Sequence, residues 1–216
     1  MKTSTVKEKI FREMNYQICL LTGAEVVDAV NVGDVFDFPP DEKLDGFLTY
    51  AYIDEAAFTF EILAGARLNG TRVKIFPASY KKSVKLKRAQ VDDAEIRILT
   101  AEYSLAFRDR IQMIIDRIDT DAGREQTRLI KTLDAFRHPH YPDDVIVHFL
   151  VAEGEQELLW VRCVSVKQDF LIGTLLNEPR RNCGLHEGDT IGFGVMQINE
   201  QKFLMYVTTV EGHPIA

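Results

Sequence analysis

The residues best suited to bind or react lie in two polar segments of the C-terminal half. The first contains His138, His140 and Asp144, whose imidazole and carboxylate groups are ligand types for divalent metals. The next histidine follows Asp144 by only four residues, so the spacing defines no closed ligand set. The segment is also rich in proline, as connectors are. We favour a connector without metal and keep a metal-dependent hydrolase as an alternative.

The second segment is a loop that carries one carboxylate and two guanidinium groups. It reads Asn177-Glu178-Pro179-Arg180-Arg181. Polar connections carry binding residues more often than strands do. A turn made by Asn177 and Pro179, with solvated arginines, explains the same residues equally well. We take Asn177, Glu178, Arg180 and Arg181 as candidate contacts to a protein partner.

A basic stretch supplies a third candidate. Residues 62–91 contain eight lysines and arginines and no acidic residue. Five of these could follow a phosphate backbone, with nearby aromatic rings stacking on bases: Lys81, Lys82, Lys85, Lys87 and Arg88. A solvated face that balances acidic surface elsewhere accounts for the same charges, and we favour it. A binder of anionic ligands or nucleic acid that uses residues 72–88 remains the alternative.

Motifs of the common catalytic classes are missing from the sequence. There is no GxSxG, no GxxxxGK[ST] and no GxGxxG. Cys163 lies in a strand-like run, and Cys183 lies three residues from His186, a spacing that does not define a dyad. We therefore predict no catalytic residue, no cofactor and no bound metal, although the sequence does not decide whether an activity exists.

Composition and charge limit the class of protein. The 216 residues are 46% hydrophobic with a net charge of −7, which disfavours general affinity for nucleic acid or anionic membranes. No apolar run reaches the roughly 18 residues that span a bilayer, and the N-terminus has no secretion-signal pattern. Three cysteines without CxxC spacing indicate reduced thiols. We expect a cytoplasmic protein.

Hydrophobic periodicity predicts the elements that hold these residues. Helices are indicated where apolar residues recur three and four apart: 5–22, 102–118 and 122–136. A strand is expected over 47–53, and Asn69-Gly70 predicts a hairpin that pairs 57–66 with 71–78. Five further strands are predicted from apolar runs between turn residues: 144–152, 158–166, 170–176, 189–196 and 202–210.

These elements predict an α+β fold in two domains. Pro139 and Pro142 disfavour helix at the residues before them, so we place the boundary there. The N-terminal domain, 1–136, is expected to combine an antiparallel sheet with helices. The C-terminal domain, 137–216, is expected to be a small SH3-like or partly open β-barrel. Trp160 is expected in the core of this barrel, where Trp160→Ala would cost about 3–5 kcal/mol.

Four short motifs follow one another in the C-terminal third: Tyr141-Pro142-Asp143-Asp144, Trp160-Val161, the run from Gly173 to Pro179, and Gly188-Asp189 before an apolar strand. In this order they resemble a family of uncharacterised bacterial domains of unknown function, over about residues 136–195. The resemblance implies no activity and no catalytic residues.

The expected function is that of a non-catalytic protein that binds another protein, as regulatory and immunity-type proteins do. This expectation rests on the missing catalytic motifs and on an outward-facing loop, 177–187, on a β scaffold. The acidic net charge suits a basic partner. The sequence leaves open a homo-oligomer, the identity of the partner and the role of residues 1–135.

Overall fold

The chain forms two compact units, Met1–Asp119 and Thr120–Ala216. The computed structural model describes these parts of the chain: 4–30, 43–70, 72–78, 83–99, 101–118, 120–150, 155–168, 170–181 and 183–209. Within them, no helix has both the length and the apolar composition needed to cross a membrane.

Seven antiparallel strands form the sheet of the first unit: β1 (Ser4–Thr5), β2 (Ile18–Thr22), β3 (Gly46–Asp54), β4 (Ala57–Asn69), β5 (Arg72–Pro77), β6 (Lys85–Lys87) and β7 (Glu95–Ile98). Their order is β1-β7-β2-β3-β4-β5, and β6 pairs with β4. The predicted hairpin is confirmed, since β4 pairs with β5 next to Gly70, whose φ of 59° suits a tight turn.

Short helices complete the first unit: α1 (Phe11–Met14), α2 (Ala24–Asp28), α3 (Ala101–Ala106) and α4 (Arg108–Ile115), with 3-10 turns at Val6–Glu8 and Arg88–Gln90. The single helix predicted over 5–22 is wrong, because Ile18–Thr22 forms the central strand β2 between β3 and β7. A central strand is apolar on both faces, so the spacing of its apolar residues also fits a helix.

The central strands β2, β3 and β4 of this sheet are largely buried on both faces. Alternate residues of a strand point to opposite faces, and in β2 they enter two separate cores. Cys19 and Leu21 pack in a core with Phe11 of α1. Leu20 packs in a second core with Ile114 of α4. Burial on both sides explains why these strands read as continuous apolar runs.

The second unit is a closed barrel preceded by helix. Its elements are α5 (Ala122–Leu129), a 3-10 helix (Lys131–Phe136), β8 (Asp144–Leu150), β9 (Gln156–Val166), β10 (Leu171–Leu175), β11 (Thr190–Ile198) and β12 (Gln201–Thr209). The order around the barrel is β10-β11-β12-β8-β9, antiparallel except between β12 and β8. The predicted α+β class and small C-terminal barrel are confirmed, and the barrel is closed.

Residues 120–136 pack with the barrel. Helix α5 lies against β9, and Leu133 is buried in the barrel core with Val161 and Phe193. The sequence analysis places a domain boundary after residue 136, whereas the compact units divide after Asp119. The predicted boundary concerns independent folding and stays a prediction.

Candidate functional site

The loop after β10 is attached to β9 by hydrogen bonds. The Leu176 N–H donates to the Trp160 carbonyl at 2.9 Å, and the Trp160 N–H donates to Asn177 Oδ1 at 2.8 Å. Further along, the Arg180 N–H donates to Glu157 Oε1 at 2.8 Å. The side-chain oxygen of Asn177 is thus used within the fold, as the turn interpretation expects. These contacts hold the backbone of the loop in place.

Glu178 closes the far side of the same loop. Its Oε1 lies 2.8 Å from His186 Nδ1, and its Oε2 accepts the Glu187 N–H at 2.8 Å. The bonds from the Glu187 N–H and the His186 ring lower the pKa of Glu178. In turn, the hydrogen bond and negative charge of Glu178 raise the pKa of His186. Both side chains are exposed, so solvent weakens their attraction.

A surface cavity of about 480 Å³ lies between this loop and β9. Leu158 lines it and is 54% exposed. Arg181 also lines it and forms an ion pair with Glu155. Arg180 is exposed, also lines the cavity and has no ion-pair partner in the described part of the chain. The cavity therefore combines this cation and the apolar Leu158 with the glutamates Glu157 and Glu178.

The carboxylates of the proline-rich segment are held by arginines. Asp143 is fully buried and accepts hydrogen bonds from Arg128 Nε at 2.8 Å and Nη2 at 2.5 Å. Asp144 accepts from Arg162 Nε at 2.7 Å and Nη2 at 2.9 Å. Such bidentate pairs are strong and directional. They fix the entry to β8 rather than present free carboxylates.

Three of the four sequence motifs are joined by hydrogen bonds in this second unit. The Trp160 N–H donates to Asn177 Oδ1, and the Leu175 N–H donates to the Asp189 carbonyl at 2.9 Å. Residues 120–216 match the family DUF2314, described as an uncharacterized protein conserved in bacteria. The resemblance is confirmed. The match starts at the first residue of the second unit and covers less than half of the chain.

No curated protein and no solved structure gives a significant match to the chain.

The histidines of the proline-rich segment contact each other, and His138 also contacts Trp160. His138 Nδ1 accepts the His140 N–H at 3.1 Å, and its ring meets the Trp160 ring edge-on at 5.1 Å. Burial is the main cause that lowers the pKa of His138. Asp144 is engaged by Arg162. Nowhere in the described residues are three His, Cys, Asp or Glu side chains grouped to hold a metal ion.

Two of the three cysteines, Cys19 and Cys163, are buried thiols that are not activated as nucleophiles. Burial raises the pKa of the Cys163 thiol to about 12, and it does the same for Cys19. A catalytic cysteine needs the opposite shift and access to substrate. Cys183 is half-buried in the loop, and the Nδ1 of His186 faces Glu178. In the described part of the chain, Cys183 makes no hydrogen bond with His186.

Two of the predicted basic contacts are used inside the first unit. Lys85 Nζ and Lys87 Nζ lie 2.9 and 3.3 Å from Asp54 Oδ2. Both lysines project from β6 toward this shared carboxylate. This pairing neutralises part of the basic stretch and leaves less charge for an anionic ligand. Lys81 and Lys82 lie outside the described residues.

Arg88 does not face solvent, contrary to its predicted role in anion binding. Its side chain is 3% exposed and donates to the carbonyls of Val6 at 3.1 Å and Lys9 at 2.8 Å. A guanidinium has five N–H donors in a fixed fork, which suits it to bind several carbonyls. Arg88 therefore attaches the N-terminal segment to the sheet.

Trp160 is half-buried on the outer face of the barrel, so its predicted place in the barrel core is wrong. Val161 and Cys163 point into the core, and Trp160 shares the opposite face with Leu158 and Arg162. The signal was present in the sequence, because an arginine two residues along a strand marks the solvent face. The same signal would have identified Leu158 as an accessible side chain.

A buried charge cluster in the first unit was not foreseen. Glu61 is fully buried and accepts hydrogen bonds from the Tyr52 hydroxyl at 2.9 Å, Arg117 at 2.8 Å and Arg110 at 3.3 Å. Burial and the neighbouring carboxylate raise the pKa of Tyr52. Because Glu61 lies on β4 and Arg110 on α4, the cluster joins helix to sheet.

Proposed function

We propose that the DUF2314 segment is a non-catalytic module that binds another protein through the cavity between its loop and β9. One observation carries this proposal. The loop is bonded to β9 through Asn177 and the Arg180 N–H, and the exposed residues Arg180 and Leu158 both line the cavity. A loop held before binding loses little conformational entropy on binding. Arginine is also enriched at protein interfaces.

The chemistry of the site supports recognition over catalysis. General acid–base catalysis needs a group that can exchange a proton with substrate. Here Glu178 is occupied by His186 and by the Glu187 N–H. Arg180 suits a carboxylate or carbonyl of a partner, and Leu158 suits an apolar side chain. Such a module would act by covering its partner's surface, as regulatory and immunity-type proteins do.

Two features of the whole chain support a basic partner and a cytoplasmic location. The net charge of −7 favours encounter with a basic protein. Cys19, Cys163 and Cys183 are all free thiols, which supports a cytoplasmic location. The metal and anionic-ligand alternatives gain no comparable support, because Asp144, Lys85, Lys87 and Arg88 are engaged within the fold.

Affinity purification from the native host cell tests this function. The wild-type chain should recover one protein in near-stoichiometric amount. Leu158→Lys and Arg180→Glu should each reduce its recovery at least about tenfold, as loss of a central interface residue does. Two matched controls outside the cavity, Leu129→Lys and Arg108→Glu, should recover it as the wild type does. Recovery of no partner, or equal losses in all four variants, contradicts the proposal.

A further inference from the structure

Strands β11 and β12 continue beyond the barrel as a two-stranded arm, residues 194–202. Strand β10 pairs with β11 only at 190–193. The β11–β12 ladder continues to the pair Ile198 and Gln201, around the turn Asn199-Glu200. Every residue from 195 to 202 is exposed. In the described parts of the chain, no strand pairs with the outer edge of β11 at 194–198.

This edge lacks the features that usually prevent strands from pairing. Exposed edges in natural proteins commonly carry lysine or proline, but β11 contains no charged residue and no proline. Its side chains are apolar and accessible, with Val195 41%, Met196 50% and Ile198 48% exposed. An added strand would form hydrogen bonds with the unpaired backbone groups of this edge and would cover these side chains.

The backbone groups that point outward follow from the hairpin register. A two-residue turn makes Ile198 and Gln201 a hydrogen-bonded pair, and such pairs then alternate along the ladder. Met196 therefore bonds toward β12. The N–H and C=O groups of Val195 and Gln197 are directed to the free edge, where an incoming strand would bond to them.

We propose that this edge pairs with the same edge of a second copy of the chain, antiparallel about a twofold axis at Met196. Val195 of each copy then bonds to Gln197 of the other. Ile198 lies opposite Gly194, where space is open, since a Cβ added at Gly194 would have its nearest neighbour at 3.9 Å. The edge is self-complementary in charge as well, because it brings no like charges together across the axis.

The size of this contact predicts a weak dimer. Pairing the two five-residue edges and covering their apolar side chains buries roughly 1,000 Å² in total, below the about 1,200 Å² of stable complexes. A dissociation constant between about 10 µM and 1 mM is therefore expected. The pairing does not involve Arg180 or Leu158, so it stands or falls independently of the proposed partner site.

Sedimentation velocity of the full chain tests the dimer. Between about 10 µM and 1 mM the mass should rise from the 24.6 kDa of one chain toward twice that value. Met196→Lys and Met196→Glu each place two like charges at the axis, so each variant should remain a monomer. An equimolar mixture of the two places opposite charges there and should restore the dimer. Leu129→Lys, 74% exposed on α5, is the matched control and should associate as the wild type does.

The mixture of the Met196→Lys and Met196→Glu variants distinguishes loss of the dimer interface from misfolding, because two misfolded variants would not form a dimer with each other. Circular dichroism of each variant checks the fold directly. A wild-type chain that stays at 24.6 kDa throughout overturns the proposal. So does a Met196→Lys variant that still dimerises, or a Lys–Glu mixture that stays monomeric.

Discussion

At the scale of single residues, the ion pair between Asp143 and Arg128 holds the entry to the barrel. Both side chains are buried, and the bond is bidentate. Removing Asp143 would leave the buried Arg128 guanidinium with the half-buried Glu125 as an ion-pair partner, so the cost should lie near the lower end of the about 3–5 kcal/mol for a broken buried pair. We expect Asp143→Ala to lower the free energy of unfolding by about 3 kcal/mol in chemical denaturation. Glu155→Ala removes an exposed ion pair with Arg181 and should cost less than about 1 kcal/mol. Similar losses in both variants would contradict this assignment.

The pair Glu178 and His186 makes closure of the loop depend on pH. The pKa of His186 is raised in the folded state. Its contribution to the stability of the folded state is therefore complete below its unfolded-state pKa and is lost as the pH rises through its folded-state pKa. The pKa of Glu178 is lowered in the folded state. Its contribution to the stability of the folded state is therefore present above its unfolded-state pKa and is lost as the pH falls through its folded-state pKa. The pair therefore forms in mildly acidic solution. An NMR titration should show His186 titrating at lower pH in Glu178→Gln than in the wild type; an unchanged titration would exclude the pair.

At the scale of elements, Gly173 allows β9, β10 and β11 to approach closely. A Cβ added there would lie 2.7 Å from the Arg162 carbonyl oxygen and 2.5 Å from Val161 Cγ1. The backbone atom cannot yield as the end of a side chain can. Gly173→Ala should therefore destabilise the barrel by about 1–3 kcal/mol. In dilute solution Gly194→Ala is the control, because its Cβ meets nothing closer than 3.9 Å and should leave thermal unfolding nearly unchanged. Equal melting temperatures for the two variants would refute the close approach.

The β4–β5 hairpin and the barrel strands were predictable from the sequence, whereas β2 was predicted as part of a helix, and the difference has one physical reason. Alternation and turn residues such as Asn69-Gly70 are local signals, so they placed the hairpin and all five barrel strands. The run 18–22 is apolar on both faces, and only its neighbours β3 and β7 decide that it is a strand. The candidate residues of the loop after β10 could be selected from the sequence because they are polar and charged residues in a connection. Their contacts with β9 depend on barrel register, which links residues as far apart as Glu157 and Arg180.

At the scale of the whole molecule, the family match and the compact second unit begin at the same residue. Both start at Thr120 and include α5 with the 3-10 helix that follows. The sequence assigned these elements to the first domain, because the prolines after Phe136 mark a strong local break. A local break ends a helix, but it does not decide which core the helix covers. Both Leu133, which packs in the barrel core, and Arg128, which binds Asp143, lie before this break but contact residues that follow it.

Two fragments of the chain distinguish the alternative boundaries. Fragment 120–216 keeps the buried Leu133 and the Arg128 partner of Asp143, so it should unfold in one cooperative transition. Fragment 137–216 loses both. The unpaired Asp143 costs about 3–5 kcal/mol and the loss of the Leu133 side chain about 2–5 kcal/mol. Together these approach the about 5–15 kcal/mol that stabilises a typical domain. We therefore expect fragment 137–216 to show no cooperative transition by circular dichroism. If it melts cooperatively at the temperature of fragment 120–216, the boundary after residue 136 is the correct one.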